Sequence, residues 1–96
     1  MTYASDIETR IDARFKDGSR IRALLAELAE QKEPERIVRC ILELSDRDYD
    51  SVAAWVRKAN VNDGELIWLA EYDNRNVRKY DFSRPFDVQI PYSYGE

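Results

Sequence analysis

Three aspartates at alternate positions, Asp46, Asp48 and Asp50, stand in the stretch SDRDYDSV from Ser45 to Val52. Their spacing is that of the opening of a calcium loop. Such a loop counted from Asp46 needs glycine sixth, for the sharp turn, and a bidentate glutamate twelfth. Here the sixth residue is Ser51 and the twelfth is Arg57, a cation that repels the ion. The stretch therefore reads as a helix start. Ser45 is positioned to cap the first-turn amides, Asp48 takes the capping-box return position, and the aspartates place negative charge at the positive end of the helix dipole.

Other chemistry is scarce. The chain has no histidine, which removes the usual general base, a common zinc ligand and any Ser-His or Cys-His pair. Gly18, Gly64 and Gly95 are isolated, so no local phosphate-cradling loop can be built from them. Cys40 is the single cysteine; it sits among apolar neighbours at helical spacing and reads as a core residue, with Arg36 and Arg39 as weak support for a reactive thiol. No pair of carboxylates stands out from a solvated face. The expectation is a protein that is not an enzyme and holds no metal or cofactor.

Two overlapping stretches near the carboxy terminus could recognise another molecule. Arg75, Arg78, Lys79 and Arg84 interleave with Tyr80 and Phe82, the mixture of charge and stacking surface used on single-stranded nucleic acid. Asp73, Asp81 and Asp87 cancel much of that field. Residues 80–94 also hold five of the eleven aromatics: Tyr80, Phe82, Phe86, Tyr92 and Tyr94. Phe86, Val88 and Ile90 alternate as in an extended segment laid on a surface. Proline and tyrosine there lower the entropy lost on binding. The favoured site is thus a protein-binding or self-associating segment with Arg84, Phe86, Tyr92 and Tyr94, with Phe86 inward and the two tyrosines outward. The alternative is a nucleic-acid contact through Arg75, Arg78, Lys79 and Tyr80.

The elements that must carry these residues read as helices. Ser5 and Glu8 have capping-box spacing, and Ile7, Ile11 and Phe15 line one face. Gly18, in KDGS, suits a left-handed cap that ends this helix. Ile21, Leu24, Leu25 and Leu28 form a second stripe. Pro34 suits a first helical turn, and Ile37, Val38, Cys40, Ile41, Leu42 and Leu44 then imply a helix buried on more than one side, its charges at Glu35, Arg36, Arg39 and Glu43 arguing against a buried strand. Tyr49, Val52, Ala53, Trp55 and Val56 give the next helix its inner side. Asn62 and Glu65 again have capping-box spacing, which favours a fifth helix; the aromatic content and the turn chemistry of DNRN support a hairpin over residues 65–83 instead. Pro85 and Pro91 exclude a regular helix beyond Ser83.

These readings define the fold class: mainly α, a compact bundle of four or five short helices with an extended C-terminal segment. The alternative is α+β with the hairpin. Residues 1–83 form one helical domain and residues 84–96 a tail packed on or projecting from it. The totals agree with one domain. Of 96 residues 44% are apolar and 35% charged, against a usual ~25%, so the chain is globular with a highly charged exterior. The net charge of −4 favours solubility and works against polyanion binding, and no segment is a basic arm. The apolar runs Val52–Val56 and Leu66–Ala70 are far too short to span a membrane. No basic region followed by an apolar run opens the chain, so with its lone thiol a cytoplasmic setting is expected. The resulting function is a small acidic protein acting through protein–protein interaction, as an adaptor, inhibitor or immunity-type neutraliser, with a nucleic-acid-associated regulator as the alternative.

Overall fold

A computed structural model describes residues 3–73 and 75–89. Five helices follow in order: α1 (Ser5–Arg14), α2 (Gly18–Leu25), α3 (Pro34–Leu44), α4 (Tyr49–Val61) and α5 (Asp63–Glu71), with one 3-10 turn at Phe86–Val88. Helix α3 is the centre, packing against α1, α4 and α5; α2 lies against α1 and α4, and the 3-10 turn returns to α1. The mainly helical reading holds, and none of the described helices is long and apolar enough to cross a membrane.

The width of the α3 stripe has the consequence expected of it. Ile37, Val38, Arg39, Cys40, Ile41 and Leu42 are all buried, a run that touches every side of the helix. They join Ile7, Ile11, Leu24, Leu25, Val52, Val56, Leu66 and Phe82 in one core. Burying each such side chain contributes roughly 1.5–3 kcal/mol, which outweighs any single surface interaction and makes α3 the element the others assemble on.

Helix boundaries are set by side chains, in part not those expected. Helix α1 has Ala4 at its N-cap with no side-chain cap; Glu8 instead reaches back to accept the Tyr3 amide at 3.1 Å. Phe15 ends α1, and Gly18 is the first residue of α2, not a left-handed cap. Asp17 caps α2 by accepting the Arg20 amide. Ser45 closes α3, its hydroxyl donating to the Ile41 carbonyl at 2.6 Å. The cap of α4 is Asp48, whose carboxylate accepts the Ser51 amide at 2.7 Å. The helix start is there, with its cap three residues later than Ser45 would give.

Asn62 ends α4 and caps α5, accepting the Glu65 amide at 3.0 Å. This decides between helix and hairpin: the amides of the first turn find their acceptor, and Leu66 and Ala70 fall one turn apart on the buried side. The turn chemistry of the hairpin reading survives on a smaller scale. The Asp73 carboxylate accepts the Arg75 and Val77 amides, Asn76 takes a left-handed φ of 63°, and a single bridge pairs Tyr72 with Arg78. Among the described residues that bridge is isolated, and no strand grows from it.

Candidate interaction site

The segment after α5 is fastened to the helices by buried charge. Glu71, last residue of α5, is fully buried. Arg36 on α3 grips its carboxylate with two hydrogen bonds, Nε to Oε2 at 2.9 Å and Nη2 to Oε1 at 2.7 Å. Arg78 donates to Oε1 at 2.9 Å, and the Phe82 amide donates to Oε2 at 3.1 Å. The Glu71 backbone carbonyl accepts the Lys79 and Tyr80 amides. A second fastener lies beside it. Arg39, 3% exposed, grips Asp6 of α1 through Nε and Nη2 at 2.9 and 3.0 Å, and donates through Nη1 to the Phe82 carbonyl at 3.1 Å. Asp6 also accepts the Phe86 amide at 3.0 Å. Both ends of the Phe82 peptide framework are thereby held, its amide by Glu71 and its carbonyl by Arg39.

These groups satisfy the demand that buried charge be paired and hydrogen-bonded, and among the described residues no buried side-chain nitrogen or oxygen lacks a partner. Burial pushes the Asp6 carboxyl up, yet the Arg39 guanidinium and the Phe86 amide together hold it below the usual carboxylate range. Asp81 behaves alike: burial raises it, and the Ser83 hydroxyl and amide with the nearby Arg78 and Arg36 charges bring it below. The Glu71 carboxylate raises Arg36 further above its ordinary value.

The placement of each candidate residue follows from this fastening. Arg78 is turned into the carboxylate network, also donating to the Tyr80 carbonyl and pairing with Asp81. Tyr80 stacks on buried Phe82 with ring centroids 5.2 Å apart, so one ring face is covered. Arg75 is an exposed partner of Asp73, and Lys79 is exposed beside Tyr80. Of the four residues of the nucleic-acid reading, Arg78 and Tyr80 are thus half-buried and engaged, whereas Arg75 and Lys79 are exposed. Arg84 pairs loosely with Asp81 at 3.8 Å. Phe86 is half-buried, edge-on to Phe82 and beneath the Arg10 guanidinium, 3.8 Å from the ring centre. Residues 86–88 make a 3-10 turn, so Phe86 and Val88 do not alternate as in a strand. Tyr92 and Tyr94 lie outside the described residues.

Between α1 and this segment runs a concavity of about 760 Å³, walled by Thr9, Arg10 and Ala13 on one side and Pro85, Phe86 and Val88 on the other. Val88, half exposed, forms its apolar rim. Gln89 braces the far wall, its side chain donating to the carbonyls of Asp81, Arg84 and Pro85 and accepting the Asp81 amide. The groove is therefore preformed, its walls held by the Phe86 amide on Asp6 and by the Gln89 side chain.

Reasoning from sequence missed Glu71, Arg36, Arg39 and Asp6, the residues that build this wall. The charges of α3 serve in the sequence only as an argument for a helix over a buried strand. The available signal was position: Arg39 lies within the run Ile37–Leu42, and Glu71 follows the apolar run Leu66–Ala70. Cys40 is buried, and burial followed by the Glu71 charge pushes its thiol far up, which disfavours the thiolate a nucleophile needs. Among the described residues no three acidic or thiol side chains converge as metal ligands. No protein-family model, curated protein or solved structure matches this chain.

Proposed function

We propose that this chain is a non-catalytic interaction protein, an adaptor, inhibitor or immunity-type neutraliser in a cytoplasmic setting, and that the groove between α1 and residues 85–88 receives an apolar segment of its protein partner. The single observation that supports this most is the preformed groove with the half-exposed Val88 at its rim. A braced apolar cleft lowers the entropy lost on association, because its walls are ordered before the partner arrives. The Arg10 guanidinium over Phe86 and the Thr9 hydroxyl supply polar edges that would orient the occupant.

Removing residues 84–96 would also remove the Phe86 packing, so point changes test the reading more cleanly. The variants are Val88→Asp and Thr9→Arg, with Arg57→Gln as a control on an exposed residue of α4. Affinity capture with the wild type should retain a partner that both groove variants lose and the control keeps. Sedimentation of the same four proteins checks self-association by the same logic. Capture and mass that both groove variants leave unchanged would sink the reading.

A further inference from the structure

A second concavity, of about 490 Å³, adjoins the groove across Ala13 and Arg14. Its lining has a different character. Arg14, Lys16, Arg20 and Arg47 contribute four cations, against the one carboxylate of Asp17. The Asp17 carboxylate is engaged as the cap of α2. The aspartates flanking Arg47 and Tyr49 in sequence do not line the cavity, and Asp48 is committed to the Ser51 amide. Phe15 and Ile21, both nearly buried, form an apolar floor with Ala13 and the ring of Tyr49.

Arg10, Arg22, Arg36, Arg39, Lys58, Arg75, Arg78 and Arg84 each have a carboxylate within 4.0 Å. Among the described residues seven cations have none, these four with Lys32, Arg57 and Lys79, and these four are the ones gathered around one cavity. Two of them are nonetheless held in place. Arg14 donates through Nη1 to the Leu42 carbonyl at 3.1 Å, and the Arg20 guanidinium lies over the Tyr49 ring at 4.1 Å. A carbonyl and an aromatic face orient a guanidinium without neutralising it, which leaves its charge directed at whatever enters. Four like charges around one cavity repel one another, and an anion between them offsets that repulsion. In a protein of net charge −4 a long polyanion is disfavoured at range, whereas a compact anion inside the cavity meets the near cations within about one Debye length of ~10 Å.

We infer that this cavity binds a phosphate monoester, its dianion held by Arg14, Arg20 and Arg47 with Lys16 at the edge, and its organic stem resting on Phe15, Ile21 and Tyr49. The size lies in the range of small-molecule sites, roughly 300–1,000 Å³, and exceeds what bare phosphate would fill. Arginine suits the dianion because its planar fork can give two parallel hydrogen bonds. The ester has two sources, a free small molecule or a phosphorylated side chain of a protein seated in the adjoining groove, and the site chemistry is the same for both.

Calorimetric titration at low ionic strength tests this with phenyl phosphate, inorganic phosphate and a phosphotyrosine peptide with uncharged flanks. Phenyl phosphate should bind at least about tenfold more tightly than inorganic phosphate, since burying its ring against the floor contributes on the order of 1.5 kcal/mol or more. The double variant Arg20→Gln, Arg47→Gln should weaken phenyl phosphate by about tenfold or more, the size expected for lost charge-assisted hydrogen bonds. Arg57→Gln should leave it unchanged. Circular dichroism and a melting curve establish that each variant is folded; both changed residues are exposed, so the fold should persist. A peptide that binds more tightly than phenyl phosphate supports the inference and assigns a protein source; one that binds no better supports it and assigns a small molecule. No saturable binding of phenyl phosphate, equal binding of inorganic phosphate, or binding untouched by the double variant would overturn it.

Discussion

Two groups of charged side chains share helix α1 and have opposite surroundings. At its start, Asp6 joins Arg39 in a buried fastener beside the Arg36–Glu71–Arg78 cluster, where every charge faces an opposite charge. At its end, Arg14 joins Lys16, Arg20 and Arg47, cations without carboxylates around an open cavity. The difference shows that charge in this chain serves two purposes separable by burial and pairing. Desolvated pairs tie one segment to another, because breaking them strands a charge away from water. Exposed cations with no carboxylate partner, such as Lys16, Arg20 and Arg47, contribute little to folding and, on the phosphate-site inference, are left to meet an external anion.

The comparison is broken most directly at Glu71. Glu71→Ala leaves two guanidinium groups and the Phe82 amide without their acceptor, and should cost about 3–5 kcal/mol of stability, read from urea unfolding. A variant as stable as wild type would show that the cluster is not a fastener. Asp6→Ala should cost a little less, about 3 kcal/mol, since its carboxylate lies nearer solvent and water can reach part of the site it leaves.

Acid sharpens the same contrast. Asp6 and Asp81, like Glu8 beside the Tyr3 amide and Arg22, are held below their ordinary carboxylate values in the folded chain. The unfolded chain therefore binds more protons in that range, so stability rises with pH there. The contribution is fully present above the unfolded carboxylate value of about 4 and is lost as pH falls through the lower folded values. The urea midpoint should thus hold from pH 7 to about 5 and drop below about 4. A midpoint that stays level down to pH 2.5 contradicts this.

Smaller effects complete the series. Asp48→Ala removes the α4 cap and should cost about 1 kcal/mol by the same unfolding measurement. Arg20→Gln, in the cavity, should change stability by less than about 0.5 kcal/mol, as exposed substitutions do. A loss comparable with that of Glu71→Ala would mean that the cavity cations are structural after all.

The helices were legible because their causes are local. Stripes every three or four residues, Pro34 at a first turn, Asn62 three residues before Glu65 and an aspartate cluster before Val52 each act within about one turn, and the chain follows them. Errors of register arose where two residues compete for one local role, as Ser45 and Asp48 did for the α4 start. The same periodicity assigns Tyr49 inward, yet it is exposed and lies at the cavity under the Arg20 guanidinium.

Sequence alone determined a mainly helical chain with a wide apolar α3 and a break after each helix. Only the tertiary structure decided which charges are interior. Arg39 finds Asp6 across 33 positions and Arg36 finds Glu71 across 35, and a side chain's local neighbours carry no record of so distant a partner. The same assembly left Arg14, Lys16, Arg20 and Arg47 around one hollow whose one carboxylate, Asp17, caps α2. Pairing of charge depends on where separate helices come to rest, and that is set by packing of the core they share.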